Sequence, residues 1–177
     1  MHTDEDIPAL VKEAQRNPAA FAALYDHYLA PLYRYLYSRV GNAADAEDLI
    51  AQTFLSALER LGSYSEKGAF GGWLFAIAHS KVIDHYRREK ALSRLDSAGE
   101  LAGGGDPPGD VEKRLELEKL AAILHNLSSD EQETIRLRYL AGLSFAEVAA
   151  ALVKREDAVK KSLYRLLARV QSQMETP

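Results

Sequence analysis

The side chains that could do chemistry in this sequence are mainly cations and aromatic rings. Lys81, Arg87 and Arg88 follow an apolar stretch that contains Phe70 and Trp73. Cations in such an arrangement can hold phosphates, and rings beside them can compensate a nucleic-acid base for lost stacking. Trp73 equally suits a protein core, and we interpret it mainly in that way. The stretch predicts a helix whose apolar front end is anchored in a core and whose basic end faces outward.

The sequence does not point to catalysis or to metal binding. It contains no cysteine, which removes disulfides, thiolate catalysis and cysteine-ligated metals. His79, Asp84 and His85 form the only close cluster, and two histidines six positions apart lie on different sides of a helix. We therefore predict that the protein is not an enzyme and that it has no metal and no cofactor.

Charge is segregated along the chain, although the net charge is only −4. Segments 61–95 and 136–177 carry +3 and +4, whereas segments 1–60 and 96–135 carry −4 and −7. Locally positive surfaces are therefore compatible with an acidic chain. The N-terminus has no apolar signal region, and no apolar run is long enough to span a membrane. We expect a soluble, cytoplasmic protein without membrane insertion.

Apolar residues recur at intervals of three and four along most of the chain, which is the period of amphipathic helices. Residues 93–111 differ, because three consecutive glycines and a Pro–Pro pair indicate a flexible linker. The prediction is an all-α fold with two small helical domains, residues 1–92 and 112–177, joined by this acidic linker. Helices are predicted over residues 3–17, 19–40, 45–61, 72–92, 111–127, 128–141 and 145–152, with a last helix after residue 155.

Three finer expectations concern the first domain. Pro31 is expected to kink or divide its helix, and Asp84 is expected to pair with Arg88 four residues later. An aromatic-rich face is interpreted as core packing with solvated hydroxyls; it comprises Tyr25, Tyr28, Tyr33, Tyr35 and Tyr37. The buried side of the helix over residues 72–92 is expected to hold Leu74, Ile77, Ala78, Val82 and Tyr86.

The last two predicted helices have the pattern of a helix-turn-helix, in which the second helix enters the major groove. Val159, Leu163, Leu166 and Val170 repeat at helical spacing and are assigned to the buried side of that helix. The residues predicted to face outward or to lie at the helix start are Arg155, Asp157, Lys160, Lys161, Tyr164 and Arg165. A three-helix bundle with a basic solvated face remains the alternative.

Taken in order, these motifs resemble the bacterial sigma-70 family, and most closely its extracytoplasmic-function (ECF) group. The resemblance rests on AEDLIAQTFLSALERL, then F-x-x-W-L-x-x-I-A with D-x-x-R-R, a linker, L-S-x-x-E, and L-S-x-x-E-V-A followed by V-K-K. It implies an RNA polymerase sigma factor whose region 2 binds the β′ clamp helices and opens the −10 element. Region 4 would read the −35 element and touch the β flap. The resemblance also implies an anti-sigma factor.

The resemblance assigns roles to particular residues. Those implied in polymerase binding are Asp48, Gln52, Thr53 and Leu55. Those implied in −10 recognition and melting are Tyr64, Lys67, Phe70, Trp73, Ser80, Lys81, Asp84, Arg87 and Arg88. The outward residues of the helix-turn-helix named above are implied in −35 recognition.

Four departures from the family pattern affect these roles. Ser80 stands where the family has Asn, and Ala51 with Gln52 stands where it has a Gln–Glu pair. Val153 replaces the turn glycine and is poorly suited to positive φ, so a remodelled turn is expected. Arg155 replaces a small hydroxyl cap and cannot accept a hydrogen bond at the helix start.

Two further functions remain as alternatives. A stand-alone helix-turn-helix regulator would bind duplex DNA tightly by itself, whereas a sigma factor would bind weakly until core polymerase is present. A helical interaction protein would leave both basic faces solvated, and the segregated charge argues against it.

Overall fold

A computed structural model describes residues 6–65, 69–93 and 111–175, and every regular element in these ranges is helical. The first part contains α1 (Ile7–Arg16), α2 (Phe21–Val40), α3 (Ala43–Arg60) and α4 (Phe70–Ser93). Short 3-10 turns precede α2 and follow α3. The predicted linker falls almost entirely outside the described residues, as does Lys67.

The junction between α2 and α3 is capped on both sides. Gly41 ends α2 at a φ of 76°, and the side chain of Asn42 accepts a hydrogen bond from the Asp45 amide at the start of α3. Pro31 lies inside α2 without dividing it. Leu24 before it and Leu32 and Leu36 beyond it are fully buried, so packing on both sides of the proline holds the helix together.

Helix α4 begins at Phe70, two residues earlier than the apolar pattern predicts. Its buried side contains Leu74, Ile77, Ala78 and Val82 as expected, together with Phe75. The prediction for Tyr86 is wrong: this ring is 41% exposed, and its hydroxyl donates to the carbonyl of Arg39. The tyrosine hydroxyl needs a hydrogen-bond partner, and here it finds one at the surface of this part of the molecule, which leaves the ring partly exposed.

The second part contains α5 (Val111–His125), α6 (Ser129–Ile135), α7 (Phe145–Ala151) and α8 (Glu156–Glu175). Two capping boxes are present, Ser128 with Glu131 before α6 and Ser144 with Glu147 before α7. A π-helical segment from Arg136 to Leu140 continues α6 and ends at Ala141, before Gly142 with a φ of 75°.

The two parts share one hydrophobic core. Leu137, Val148 and Val159 of the second part pack in the same cluster as the buried residues of α1 to α4. A smaller cluster within the second part joins Leu127 to Leu163 and Leu166 of α8. We call residues 6–93 the first module and residues 111–175 the second module. Their helices α4 and α7 make the most extensive helix–helix contact among the described residues.

None of the described helices combines the length and the apolar character that crossing a membrane requires.

Candidate nucleic-acid interface

An aromatic cavity lies at the start of α4. The ring centroids of Tyr64 and Trp73 are 4.9 Å apart, and both side chains line a space of about 320 Å³. A cavity of this size is large enough to hold a small planar group. Ala150 of α7 contributes a wall from the other module. The structure thus brings together two of the predicted −10 residues at a site with stacking surfaces.

Phe70 supports this cavity and does not line it. The ring is only 3% exposed and contacts Tyr64 and Trp73 at centroid distances of 5.6 and 5.4 Å. The Phe70 ring is covered in this structure, and the role that the resemblance implies for it in −10 recognition stays a prediction. Trp73 is half-buried, so it serves both as core and as cavity wall. Lys67 lies outside the described residues.

The second half of α4 presents charge on its surface. Ser80, Asp84, Arg87 and Arg88 are exposed, and Lys81 is half-buried. Asp84 pairs with Arg87 at 3.6 Å and not with Arg88, whose Nε donates to the Asp84 carbonyl at 3.3 Å. An exposed pair of this kind contributes at most about 1 kcal/mol, so a phosphate can displace the carboxylate.

The helix-turn-helix is formed by α7, residues 152–155 and α8. Val153 adopts a φ of 54° while its side chain is 91% exposed. The Lys154 amide donates to the Ala149 carbonyl at 2.8 Å, and the Val153 amide donates to the Ala150 carbonyl at 3.3 Å. This is the hydrogen-bond pattern of a Schellman motif with valine in the position that favours glycine. The expected remodelling of the turn does not occur.

Helix α8 has the predicted division into a buried and an exposed side. Val159, Leu163 and Leu166 are buried, and Val170 packs at the edge of the smaller core. The predicted outward residues all reach the surface: Arg155, Asp157, Lys161, Tyr164 and Arg165 are exposed and Lys160 is half-buried.

Ion pairs already occupy part of this face. Lys160 pairs with Glu156 at 2.6 Å, and its Nζ lies 5.6 Å from the ring centroid of Phe145. The hydrogen bond to Glu156 raises the pKa of Lys160. Arg155 lies 3.9 Å from Asp157. A phosphate or a base would therefore have to displace Glu156 from Lys160. Among the described residues, neither Lys161 nor Arg165 has an ion pair that would have to be displaced.

The residues implied in polymerase binding divide into exposed and buried ones. Asp48 and Leu55 are exposed, and Gln52 donates to the Asp48 carboxylate. Thr53 is fully buried, and its hydroxyl donates to the Leu49 carbonyl at 2.6 Å. Thr53 consequently cannot form a surface contact, and the expectation for it is corrected to a packing role inside α3.

A groove lies between α2 and α3, and it is lined in part by tyrosines that the sequence analysis assigned to the core. Tyr25, Leu29 and Tyr33 of α2 face Ile50 of α3 across a space of about 500 Å³. Of the tyrosines interpreted as core, Tyr28 and Tyr35 are buried, whereas Tyr25 and Tyr37 are 38% and 44% exposed. The sequence did contain an indication of this exposure, because five tyrosines on one helix exceed what a single buried stripe can hold.

The two histidines of α4 point in different directions, as predicted. His79 Nδ1 lies 2.8 Å from Glu133, whereas His85 Nε2 lies 3.9 Å from Asp45 and 3.6 Å from Glu89. Asp45, His85 and Glu89 are the only group in the described part of the chain with the composition and spacing of a metal site. Two partly exposed carboxylates beside an imidazole are equally satisfied as ion pairs, so this group is not assigned a metal.

Comparison with known proteins finds a separate family match in each of the two modules. Residues 24–92 match the family model for Sigma-70 region 2, and residues 117–170 match that for Sigma-70, region 4. The chain is 40% identical over 162 residues to the ECF RNA polymerase sigma factor BldN of Streptomyces coelicolor. That alignment covers 88% of this chain and 61% of the relative, so the chain spans less than two thirds of BldN.

Relatives of similar length are also found. The ECF RNA polymerase sigma factor SigL of Mycobacterium tuberculosis is 30% identical, with 85% of this chain and 86% of the relative covered. The RNA polymerase sigma factor CnrH of Cupriavidus metallidurans is 30% identical over 97% of this chain and 95% of the relative. The structure of CnrH in complex with the cytosolic domain of CnrY superimposes with a TM-score of 0.67 at 25% identity, covering 96% of this chain and 97% of the other. The chain therefore belongs to the ECF group of the sigma-70 family.

Proposed function

We propose that this chain is the sigma subunit of a bacterial RNA polymerase, which directs transcription initiation at particular promoters. The observation that carries the proposal is the presence of two exposed basic surfaces in one chain, each within a segment that matches a sigma-70 family model. One is the aromatic cavity and basic end of α4, and the other is the exposed basic face of α8. A regulator that only binds duplex DNA needs the second surface and has no use for the first.

In promoter opening the first module has two tasks. Taking a base out of the stack costs a few kcal/mol, and rings that contact the extruded base offset this cost. Tyr64 and Trp73 supply such rings. The separated strand keeps its phosphates, which Lys81, Arg87 and Arg88 can bind along the exposed side of α4. No catalytic group is required for either task.

In −35 recognition the second module docks α8 in the major groove. Residues near the start of a recognition helix reach base edges, which favours Arg155, Asp157 and Lys160 for base contacts. Lys161, Tyr164 and Arg165 are exposed further along α8 and are placed to reach phosphates or neighbouring bases.

Core polymerase is proposed to contact both modules. Asp48, Gln52 and Leu55 form an exposed or half-exposed strip on α3 for the β′ clamp helices. On the second module, an apolar groove of about 400 Å³ lies between α5 and the π-helical segment, and we assign it to the β flap. It is lined by Ala121, Leu124, His125, Leu127, Gln132, Ile135, Arg136 and Leu140.

An anti-sigma factor is the proposed regulator, because the structurally similar CnrH has been solved in complex with the cytosolic domain of CnrY. A sigma subunit acts on the chromosome, which places the protein in the cytoplasm. As a specificity subunit it carries no catalytic activity of its own.

The decisive experiment adds the purified chain to bacterial core polymerase with genomic DNA as template and sequences the transcript starts. A sigma factor yields a small set of starts that share upstream elements and that disappear when the chain is omitted. Tight binding of duplex DNA by the isolated chain, without new starts in the presence of core polymerase, would instead identify a stand-alone regulator.

A further inference from the structure

A side chain of α1 holds the backbone of the turn that carries Tyr64. The amide nitrogen Nε2 of Gln15 donates to the carbonyl of Leu61 at 2.9 Å and to the carbonyl of Tyr64 at 2.8 Å. These two carbonyls mark the two ends of the 3-10 turn that follows α3. Gln15 precedes them by 46 and 49 residues, so no local sequence pattern predicts the contact.

A glutamine amide suits this position chemically. Its nitrogen carries two hydrogens, and each of them can serve a different carbonyl oxygen. The Leu61 carbonyl also accepts from the Tyr64 amide at 3.1 Å, which uses its second lone pair. A carboxylate of the same shape would turn oxygens toward both carbonyls, and an apolar side chain would donate nothing. The contact therefore depends on the amide group as well as on the length of the side chain.

Helix α1 is a firm support for this contact. Ile7, Val11 and Ala14 are buried in the core of the first module. Gln15 follows at the exposed edge of this buried side of the helix. Because the helix is anchored in this way, it does not follow the turn when the turn moves, and the two hydrogen bonds hold the turn in one position.

The turn in its place positions the ring of Tyr64. This ring is half-buried, and its centroid lies 4.9 Å from that of Trp73 and 5.6 Å from that of Phe70. Ser63, Tyr64 and Ser65 all line the aromatic cavity, and they belong to the segment whose carbonyls Gln15 binds. A backbone shift of about 1 Å here would change the gap between the two rings, and binding sites tolerate little such error.

We propose that Gln15 is a positioning residue of the aromatic cavity, which fixes Tyr64 opposite Trp73 so that the two rings accept an unstacked base. The inference rests on the proposed function, because that function makes an extruded base of the −10 element the occupant of the cavity. Gln15 does not line the cavity and acts through the backbone of Tyr64. It lies on α1, outside the residues 24–92 that match the region 2 model.

The first test uses the free chain, without polymerase or DNA. Trp73 is the only tryptophan in the sequence and lines the cavity, so quenching of its fluorescence by acrylamide reports how well Tyr64 covers it. Gln15→Met keeps the side-chain length but removes both donors, and it should raise the quenching constant toward that of Tyr64→Ala, which uncovers the indole directly. Gln15→Glu should have the same effect, because its carboxylate repels both carbonyls.

Glu13→Met is the matched control. Glu13 lies two residues earlier on the same helix and is exposed like Gln15. Its replacement introduces the same methionine without removing the two hydrogen bonds of Gln15, so the quenching constant should equal that of the parent chain. Quenching at the parent level in both Gln15 variants, with unchanged circular dichroism, would overturn the proposal.

The second test separates positioning from a general loss of stability. The probe is a single-stranded oligonucleotide that carries the −10 element of a promoter identified for the chain, and it is titrated with holoenzyme. Strands with a single abasic position locate the captured base. Gln15→Met should bind the intact strand at least about threefold more weakly than the parent. With the abasic strand that weakens the parent most, both proteins should bind equally, because no base is left to place.

Three outcomes of the second test are distinguishable. Equal losses for Gln15→Met on intact and abasic strands would show general support of the fold and would overturn positioning. A parent holoenzyme whose affinity is lowered by no abasic position would refute the proposed role of the cavity, while acrylamide quenching would still decide whether Gln15 holds Tyr64. Glu13→Met should match the parent on every strand, and a loss there would remove the assignment to Gln15.

Discussion

At the scale of single residues, Val153 shows a local conformation that its side chain disfavours. A β-branched residue at positive φ costs about 1–2 kcal/mol, because its Cβ crowds the following carbonyl. The backbone accepts the cost because both Schellman hydrogen bonds form there and because α7 and α8 are each held by buried residues. The sequence indicated an unfavourable residue at this position. It could not indicate that packing of the two helices would outweigh the strain.

Replacing Val153 by glycine is expected to stabilise the protein. The side chain is 91% exposed, so its removal costs little packing. Relief of strain, less the greater freedom of glycine in the unfolded chain, should give a net gain of about 0.5–1 kcal/mol, or roughly 1–4 °C in Tm. Thermal unfolding followed by circular dichroism measures it. Val153→Ala keeps a Cβ and should gain less, and a lower Tm for Val153→Gly would contradict the strain argument.

Lys161 and Arg165 carry the next prediction. Both are exposed on α8, unlike Lys160, which is paired with Glu156. Replacing both cations by alanine should weaken holoenzyme binding to −35-containing DNA. It should also reduce the slope of log K against log salt by about 0.9 for each phosphate that the helix no longer neutralises. Arg16→Ala, which removes one exposed cation of α1, should change neither affinity nor slope. A double variant that fails to bind core polymerase would contradict a role confined to DNA.

At the scale of elements, α4 combines two environments in one helix. Its first half is buried around Leu74 and Phe75, and its second half carries Arg87 and Arg88 on the surface. Apolar spacing and the D-x-x-R-R motif predict this division. Their limits are also clear at Tyr86 and Thr53. Burial there depends on which neighbouring helix is present, and a single-helix pattern contains no such information.

Changing Arg87 and Arg88 to alanine should slow promoter opening by at least about tenfold, since hydrogen bonds to charged groups contribute about 1.5–3 kcal/mol each. Permanganate reactivity of thymines in the −10 region measures the open complex. The matched control combines Arg87→Lys with Arg88→Lys, which keeps both charges and should retain most of the activity. Unchanged reactivity in the alanine variant would exclude α4 as the strand-binding surface. Binding to core polymerase should be normal in both variants.

At the scale of the whole molecule, the modules could be predicted separately but their contact could not. Tyr35 and Glu133 are separated by 98 residues, and His79 and Glu133 by 54. Each looks like an ordinary helix residue within its own element. Glu133 follows a capping box where an acidic residue is common, so nothing local marks it as buried. Only the approach of α6 and α7 to α2 and α4 turns it into a contact between modules.

Glu133 accepts hydrogen bonds from Tyr35 and Arg39 of the first module and lies 2.8 Å from Nδ1 of His79. This contact predicts how the packing of the two modules depends on pH. Because the folded pKa of Glu133 lies below its ordinary value of 4.5, its contribution is fully present above that value and is lost as the pH falls through the lower, folded pKa. The facing groups are Arg39 and Tyr35 on α2, His79 on α4, and Arg136 in the π-helical segment. Burial, followed by the Glu133 charge, raises the pKa of Tyr35, so its hydroxyl keeps its proton throughout.

The chain has no cysteine, so dyes can be attached to cysteines that replace exposed Ala22 of α2 and Gln173 of α8. Energy transfer between these dyes should stay constant from neutral pH down to about 4.5 and fall only below it. Glu133→Gln should show a separated population at neutral pH and no further separation on acidification. Glu131→Gln should follow the parent chain, because the lowered pKa of Glu131 arises from Arg169 and Ser128 within the second module. Circular dichroism at each pH distinguishes separation of folded modules from unfolding. Separation of the parent modules already near neutral pH would show that ionised Glu133 does not hold them together.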